Sequence, residues 1–171
     1  DFYAFEQHVK AARAKRGLEV PEEWYRIPVF YFSNPSVIYG PEAEIPYPDG
    51  TNELDYELEV AAVIGADGQI GGFTIMNDWS ARDVQRQEMK VGLGPAKGKD
   101  FATSLGPVVV TPDEFDGSSA VMVARVNGEE RAIAVLDLEL DKNIDPLSVD
   151  STLSVRPRSA LGLKYVELIP G

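Results

Sequence analysis

The sequence contains no cysteine and a single histidine, His8. Disulfides, thiolate metal sites and a cysteine nucleophile are therefore excluded, and imidazole chemistry is limited to one group. Basic residues are also few, because 16 Lys+Arg stand against 28 Asp+Glu for a formal net charge of -12. This balance leaves no broad cationic surface for a phosphate backbone, so we expect no nucleic-acid partner. No apolar run reaches the roughly 18 residues that a membrane-spanning helix needs, and no signal-peptide pattern is present.

The 171 residues, 44% of them hydrophobic, are enough for one packed domain or two small ones. Residues 1–20 carry apolar side chains near helical spacing, and this pattern ends at Gly17, which predicts a helix. Residues 54–65 and the segment GGFTIMN predict two strands, and Asp67 with Gly68 between them predicts the turn of a hairpin. These patterns favour a mainly β fold with short helices, of the α+β class.

The middle of the chain continues this alternation of strands and turns. The segment SARDVQRQEMKV predicts a helix with Asp78 or Ser80 as its N-cap and Gly92 as its stop. The glycine-rich GLGPAKGKDFATSLGP predicts a loop suited to closing on a ligand, and PVVVTPDEF predicts a further strand. VMVARVNGEERAI predicts a second hairpin with its turn at Asn127 and Gly128.

Two glutamates stand on the first predicted strand. Alternate residues of a strand share a face, so Glu57 and Glu59 project together, roughly 6–7 Å apart at the backbone. An exposed edge with solvated glutamates accounts for this spacing about as well as a metal site does. In a metal site, Asp78 at a strand-to-helix junction would supply a third oxygen. With neither thiolate nor paired imidazole ligands, Mg²⁺, Ca²⁺ or Mn²⁺ is favoured over zinc.

Other polar residues have an ordinary interpretation beside a functional one. His8 is an isolated histidine of the kind that is usually a surface or packed residue, although any general base near neutral pH must be His8 or a carboxylate with a raised pKa. Lys97 and Lys99 fit two solvated lysines on a loop, or a cation that steadies an oxyanion beside a metal. Arg82 and Gln85 share one helix face and could both be surface residues.

Three blocks of the chain resemble the fumarylacetoacetate hydrolase family. They are DFYAFEQH, LDYELEVAAVIG, and NDWSARDVQRQE followed by GLGPAKGKDFATSLGP, in the family's order and spacing over about residues 1–131. The resemblance implies the family's mixed β-roll and hydrolysis of a carbon–carbon bond in a fumarylacetoacetate-like or acylpyruvate-like diketo acid. It also implies Mg²⁺ or Ca²⁺ as cofactor, a homodimer and a cytoplasmic location.

The same resemblance implies roles for particular residues. His8 falls on the water-activating base, Tyr3 and Gln85 match substrate-contacting positions, and Arg16 matches the carboxylate-binding arginine one residue out of step. Gln85 is also implied, with Lys99, in stabilising the oxyanion or the departing carbanion. Met89 stands where fumarylacetoacetases have a tyrosine, so the substrate is left open. The implied metal ligands are Asp1, Glu57, Glu59 and Asp78, with Lys99 and Thr103 as a further metal-proximal pair.

Residues 132–171 resemble a different family. VDSTLSVRPRSALGLKYVELIPG is similar to the end of an MCE (mammalian cell entry) domain, a β-rich module of envelope lipid transporters. The predicted organisation is therefore an incomplete β-roll over residues 1–131, followed by an MCE-like β segment. In the hydrolase family a glutamate from the C-terminal half orients the histidine, and only Glu139 and Glu167 are available here by default.

Several functions stay open at this point. The first is a metal-dependent hydrolase acting on a small diketo acid, and an isomerase or decarboxylase of the same family is its near alternative. The second is an envelope lipid-binding module, which would contact a membrane only if residues 132–171 are functional. The third is a catalytically inactive fragment that still binds a metal.

Overall fold

The computed structural model describes residues 1–115, 117, 120–135, 152–157 and 164–169. The chain divides into two compact units, Asp1–Ser33 and Asn34–Gly171. The helices are α1 (Glu6–Ala14), α2 (Glu22–Arg26) and α3 (Arg82–Lys90). The strands are β1 (Ile38–Tyr39), β2 (Leu54–Asp55), β3 (Leu58–Ile64), β4 (Ile70–Asp78), β5 (Ser80–Ala81), β6 (Thr103–Leu105), β7 (Val121–Val126), β8 (Glu129–Val135), β9 (Thr152–Pro157) and β10 (Lys164–Ile169).

The first unit packs two helices beside an extended bridge. α1 confirms the predicted N-terminal helix, and Gly17 adopts a φ of +67° after it, a conformation that glycine reaches at little cost. Val9 on α1 is fully buried. Helix α2 was not predicted, although Pro21 followed by two glutamates is a signal for a helix start.

The second unit is organised around a four-stranded sheet in the order β1-β6-β4-β3. β3 and β4 form the predicted antiparallel hairpin, and Gly68 supplies the positive φ of +84° that the turn requires. The strand predicted over 54–65 is broken, because the Glu57 backbone N–H donates to the side-chain Oδ1 of Asn77 at 3.0 Å rather than to a backbone carbonyl of a neighbouring strand. β2 instead pairs with β5 in a separate two-stranded ribbon.

The predicted N-caps of α3 are wrong, whereas the predicted stop is confirmed by Gly92, which follows the C-cap residue Val91 with a φ of +76°. The helix begins at Arg82 after Ala81, which has extended backbone and makes no side-chain cap bond. Asp78 ends β4 and its carboxylate accepts a hydrogen bond from Lys99, while the Ser80 hydroxyl donates to the Asp78 carbonyl at 3.0 Å. Both side chains are therefore engaged elsewhere and cannot satisfy the first turn of the helix.

The strand predicted for PVVVTPDEF is also wrong. Within the described residues this segment contributes only an isolated antiparallel bridge between Val110 and Phe73, with reciprocal N–H to carbonyl bonds of 2.8 Å. Prolines 107 and 112 lack the N–H groups that a longer ladder would need. The bridge lies close to Gly72, where an added Cβ would stand 2.4 Å from Val109 Cγ1.

The remaining strands form two hairpins. β7 and β8 confirm the predicted turn, with positive φ at Asn127 (54°) and Gly128 (82°), and β9 pairs antiparallel with β10. The predicted boundary near 131/132 falls inside β8. Glu139 lies outside the described residues, as does most of the segment predicted to be MCE-like. None of the helices in the described part of the chain has the length and apolar character needed to cross a membrane.

Candidate metal-binding site

A buried lysine lies between two carboxylates at the end of β4. Lys99 Nζ donates to Asp78 Oδ2 at 2.6 Å and also forms an ion pair with Glu57. The Lys99 side chain is 4% exposed and that of Asp78 2%, whereas the Glu57 side chain keeps 26% exposure. Charged side chains are almost never buried this deeply unless they are paired, so this arrangement is a specific feature of the fold.

Strand pairing brings these residues together from distant parts of the sequence. β4 and β6 align Asp78 opposite Thr103, which is 5% exposed and follows the loop that carries Lys99. The Asp78 backbone N–H donates to the Glu57 carbonyl at 3.2 Å, which ties the link before β3 to the end of β4. The end of β4 therefore becomes the meeting point of three chain segments.

Arg82 extends the cluster on its helix side. Its Nε donates to Asp55 Oδ2 at 2.9 Å, and its guanidinium also pairs with Glu57. The same guanidinium donates to Gln85 Oε1 at 3.3 Å, so the nitrogen of the Gln85 amide remains as a donor. Helical spacing alone left Arg82 and Gln85 as possible surface residues. In the structure Arg82 pairs with two carboxylates of the cluster, and Gln85 is joined to the cluster through Arg82.

The charges of this cluster change the pKa of Glu59 on β3. Burial, and then the negative charge of Glu57, raise the pKa of Glu59 to about 7, while Lys99 opposes the rise and Asp78 adds to it. No hydrogen bond to the Glu59 carboxylate is present among the residues that the structure describes. Glu59 is thus the carboxylate of the cluster with the greatest need for an additional cation.

The donor set of this cluster fits a hard divalent cation. Ion pairs join three carboxylates to two cationic side chains, and a fourth carboxylate, that of Glu59, is near enough for its pKa to respond to their charges. Two negative charges are therefore in excess when all six groups are ionised. Carboxylate oxygens are the ligands that Mg²⁺, Ca²⁺ and Mn²⁺ prefer. The four carboxylates are those of Asp55, Glu57, Glu59 and Asp78, and the cations are Lys99 and Arg82.

The other predicted site residues belong to the first unit. The Tyr3 and His8 rings meet edge to face with their centroids 6.0 Å apart, and both side chains are exposed. Asp1 lies on the extended segment, where its backbone carbonyl accepts from the Tyr31 N–H at 3.0 Å. Arg16 is exposed in the turn that follows α1. These contacts group Tyr3 with His8 within this unit.

One residue of the second unit was missed by the sequence analysis. Glu88 on α3 is 9% exposed, and its carboxylate accepts hydrogen bonds from the backbone N–H groups of Ala96, Lys97 and Gly98. A glutamate at the end of a charged helix resembles any solvated side chain in sequence. Only its contact with a loop eight to ten residues away distinguishes it.

Comparison with known proteins gives a consistent family. The model of the family described as "Fumarylacetoacetate (FAA) hydrolase C-terminal" matches residues 1–138. The chain is 36% identical over 146 residues to a fumarylacetoacetase of Arabidopsis thaliana, which covers 68% of this chain and 34% of that protein. No comparison supports an MCE-like segment, which stays a prediction for residues 132–171.

Two solved structures extend the comparison to the fold. The fumarylpyruvate hydrolase of Pseudomonas aeruginosa, in complex with Mn²⁺ and pyruvate, has a TM-score of 0.55 at 26% identity and covers 73% of this chain and 60% of its own. The 5-carboxymethyl-2-hydroxymuconate delta-isomerase of Mycobacterium smegmatis has a TM-score of 0.53 at 33% identity and covers 63% and 45%. The predicted mixed fold with short helices is therefore confirmed, and its structural neighbours have the fold of this family.

The matched region is only part of these relatives. The chain spans about a third of the length of the curated fumarylacetoacetases it matches. The range that the family model matches, residues 1–138, contains Glu57, Asp78 and Lys99 of this chain. This chain belongs to the fumarylacetoacetate hydrolase family.

Proposed function

We propose that this chain is the metal-binding part of an enzyme that hydrolyses a carbon–carbon bond in a small diketo acid of the acylpyruvate type. The observation that carries the proposal is the buried ammonium of Lys99 between Glu57 and Asp78, in a cluster with excess negative charge. The similar fumarylpyruvate hydrolase holds Mn²⁺ and pyruvate, which supports a divalent cation and a 2-oxo acid product.

The proposed cation ligands in the second unit are the carboxylates of Glu57, Glu59 and Asp78, with Thr103 beside them. The resemblance to the family implies Asp1 as a further ligand. Such a cation, when bound, supplies Lewis-acid polarisation of the substrate carbonyl. Mn²⁺ is our first choice because of the relative's bound ion, and Mg²⁺ and Ca²⁺ remain alternatives with the same oxygen preference.

The chain's own residues carry the remaining chemistry. The neutral imidazole of His8 would take a proton from the water whose oxygen bonds to the acyl carbon. The ammonium of Lys99 and the amide nitrogen of Gln85 would stabilise the developing negative charge. Cleavage then places the hydroxyl on the acyl group, giving a carboxylic acid, and a proton on the departing carbon, giving pyruvate. Tyr3 would contact the substrate, and Arg16 would bind the substrate's carboxylate.

A second reaction of the same family has its own support. The similar delta-isomerase of Mycobacterium smegmatis is 33% identical, which is a higher identity than that of the hydrolase with bound pyruvate. An isomerase would use the same cation site to stabilise an enolate but would leave the carbon skeleton intact. The products therefore separate the two activities. A cytoplasmic location, a homodimer and the division at 131/132 stay predictions.

The metal site can be tested by titrating Mn²⁺ into the chain by calorimetry. Glu59→Gln removes a proposed ligand that takes part in none of the ion pairs with Lys99 or Arg82, so the fold should persist. We expect the Mn²⁺ affinity to fall at least tenfold in this variant. Glu44→Gln, the same change at an exposed glutamate, is the matched control and should bind as the parent chain does. Equal Mn²⁺ affinity in all three proteins would refute the site.

The reaction can be tested with fumarylpyruvate and Mn²⁺ by chromatographic detection of fumarate and pyruvate. Both products should appear in equal amounts and should be lost on chelation of the metal. His8→Asn should lower kcat by about 10²-fold or more, as expected for loss of a general base, with Mn²⁺ affinity unchanged. Substrate rearrangement without either product would favour the isomerase. An unchanged rate in His8→Asn would show that the base is another group.

A further inference from the structure

The buried carboxylate of Glu88 lies outside the proposed ligand set and accepts three backbone hydrogen bonds. It lies on α3 and is 9% exposed. It accepts backbone hydrogen bonds from Ala96 at 3.0 Å, Lys97 at 2.5 Å and Gly98 at 3.2 Å. Three consecutive N–H groups directed at one carboxylate form a built anion site, and the side chain of the same protein occupies it.

The charge state of this carboxylate follows from its contacts. Burial alone would raise the pKa of Glu88, but the N–H groups of Ala96, Gly98 and Lys97 outweigh it, and the pKa lies below its ordinary value. Glu88 is therefore ionised at neutral pH. Its hydrogen bonds are charge-assisted, which makes them stronger than bonds between neutral groups.

The loop that is hydrogen-bonded to Glu88 packs closely against α3. An added Cβ at Gly98 would stand 2.6 Å from Gln85 Cγ, and one at Gly94 would stand 2.8 Å from Glu88 Cβ. The Gly98 carbonyl also accepts from the Ala81 N–H at 2.8 Å. The segment 94–98 is thus held on α3 both by hydrogen bonds to Glu88 and by close packing of Gly94 and Gly98 against the helix.

Lys99 follows this anchored segment directly. Its backbone N–H donates to the Ala96 carbonyl at 2.9 Å, and its side chain is buried against Asp78. Lys97, two residues earlier in the same loop, is exposed. The path of the backbone between Ala96 and Gly98 therefore decides which of the two lysines enters the carboxylate cluster.

We propose that Glu88 is a positioning residue, which folds the 94–98 segment so that Lys99 and not Lys97 is delivered to Glu57 and Asp78. Glu88 acts through the backbone and is not itself placed in the carboxylate cluster. The inference rests on the proposed function for the catalytic role of Lys99. Its structural content, the placement of the Lys99 ammonium, can be measured without metal or substrate.

The test is the rate at which each lysine of the metal-free chain reacts with an amine-acylating reagent, resolved by mass spectrometry. In the parent chain we expect Lys97 to react at least tenfold faster than Lys99. Glu88→Gln keeps the size of the side chain and removes its charge, so Lys99 should become at least tenfold more reactive. Asp83→Asn is the matched control, because Asp83 lies on the same helix and accepts from the Asn52 N–H at 2.9 Å, in a different loop. It should leave Lys99 protected.

A folding defect is separated from a positioning defect by circular dichroism and by Glu88→Asp. The aspartate keeps the charge with a shorter reach, so partial protection of Lys99 is expected. The proposal is overturned if every folded Glu88 variant protects Lys99 to within twofold of the parent, or if Lys99 reacts as fast as Lys97 in the parent. It is also overturned if neither variant folds, because Glu88 would then support the whole fold rather than the loop. A chain that cleaves no diketo acid but gives the expected labelling retains this inference and loses the proposed function.

Discussion

Replacing Glu59 with glutamine should stabilise the metal-free chain, and more strongly as the pH rises. Burial and the charge of Glu57 raise the pKa of Glu59 from 4.5 to about 7. Between these values the folded state binds more protons than the unfolded state, so the free energy of unfolding falls as the pH rises through this window. The parent chain therefore keeps this stability below pH 4.5 and has lost it fully above about pH 7. The neutral amide of Glu59→Gln has no such dependence.

The size of the effect follows from the shift. About 2.5 pKa units correspond to about 3 kcal/mol at 1.36 kcal/mol per unit. Because the Glu59 side chain is only partly buried, solvent screening reduces this to about 1–2 kcal/mol. For a chain of this size that is a shift of about 2–8 °C in the midpoint of thermal unfolding.

Urea unfolding of the parent and Glu59→Gln, in the presence of a chelator, would measure this difference. The advantage of the variant should be smallest near pH 4.5 and should grow to about 1–2 kcal/mol by pH 8, whereas Glu44→Gln should follow the parent throughout. Added Mn²⁺ should stabilise the parent by mass action and reverse the order at pH 8. Parallel stability profiles for the parent and Glu59→Gln would refute the argument that Glu59 carries an uncompensated charge.

Two further substitutions test the packing of the site. Lys99→Met removes the ammonium from beside two carboxylates, one of them 2% exposed, and should lower the free energy of unfolding by about 3–5 kcal/mol in urea. Lys97→Met should change it by less than about 0.5 kcal/mol, and an equal loss in both would contradict the contrast in burial. Gly98→Ala brings a Cβ to 2.9 Å from the Gln85 backbone nitrogen and should cost about 1–3 kcal/mol. Gly40→Ala, where an added Cβ meets no atom within 4 Å, is its control and should be close to neutral.

The sequence predicted the turns and hairpins, because neighbouring residues determine their conformation. The turns at Gly68 and Gly128 need positive φ, and each glycine follows a residue that favours a turn, so both hairpins were found. The N-cap of α3 was missed because the Asp78 side chain is engaged by Lys99, 21 residues further along the chain. No local pattern in the sequence reports a competitor that distant.

The candidate site divides in the same way. The alternation of Glu57 and Glu59 is a strand property and suggested a common face from spacing alone. The burial of Lys99 depends on the pairing of β4 with β6, and the hydrogen bonds to Glu88 depend on the packing of the loop against α3. Both are contacts between residues distant in sequence. The resemblance to the family implied a role for Lys99. It did not distinguish a lysine in a buried ion pair from a lysine on an exposed loop.

The internal ion pairs of Lys99 bear on the order in which the protein folds and takes up a metal. Zinc fingers stay unfolded until the ion binds, because the unfolded chain rarely holds a preformed site for the metal. Here the ammonium of Lys99 already offsets the charge of Glu57 and Asp78, and the raised pKa of Glu59 lets that carboxylate stay partly protonated at neutral pH. We therefore expect the cluster to assemble as the chain folds and to accept its cation afterwards, releasing a proton from Glu59 at that step.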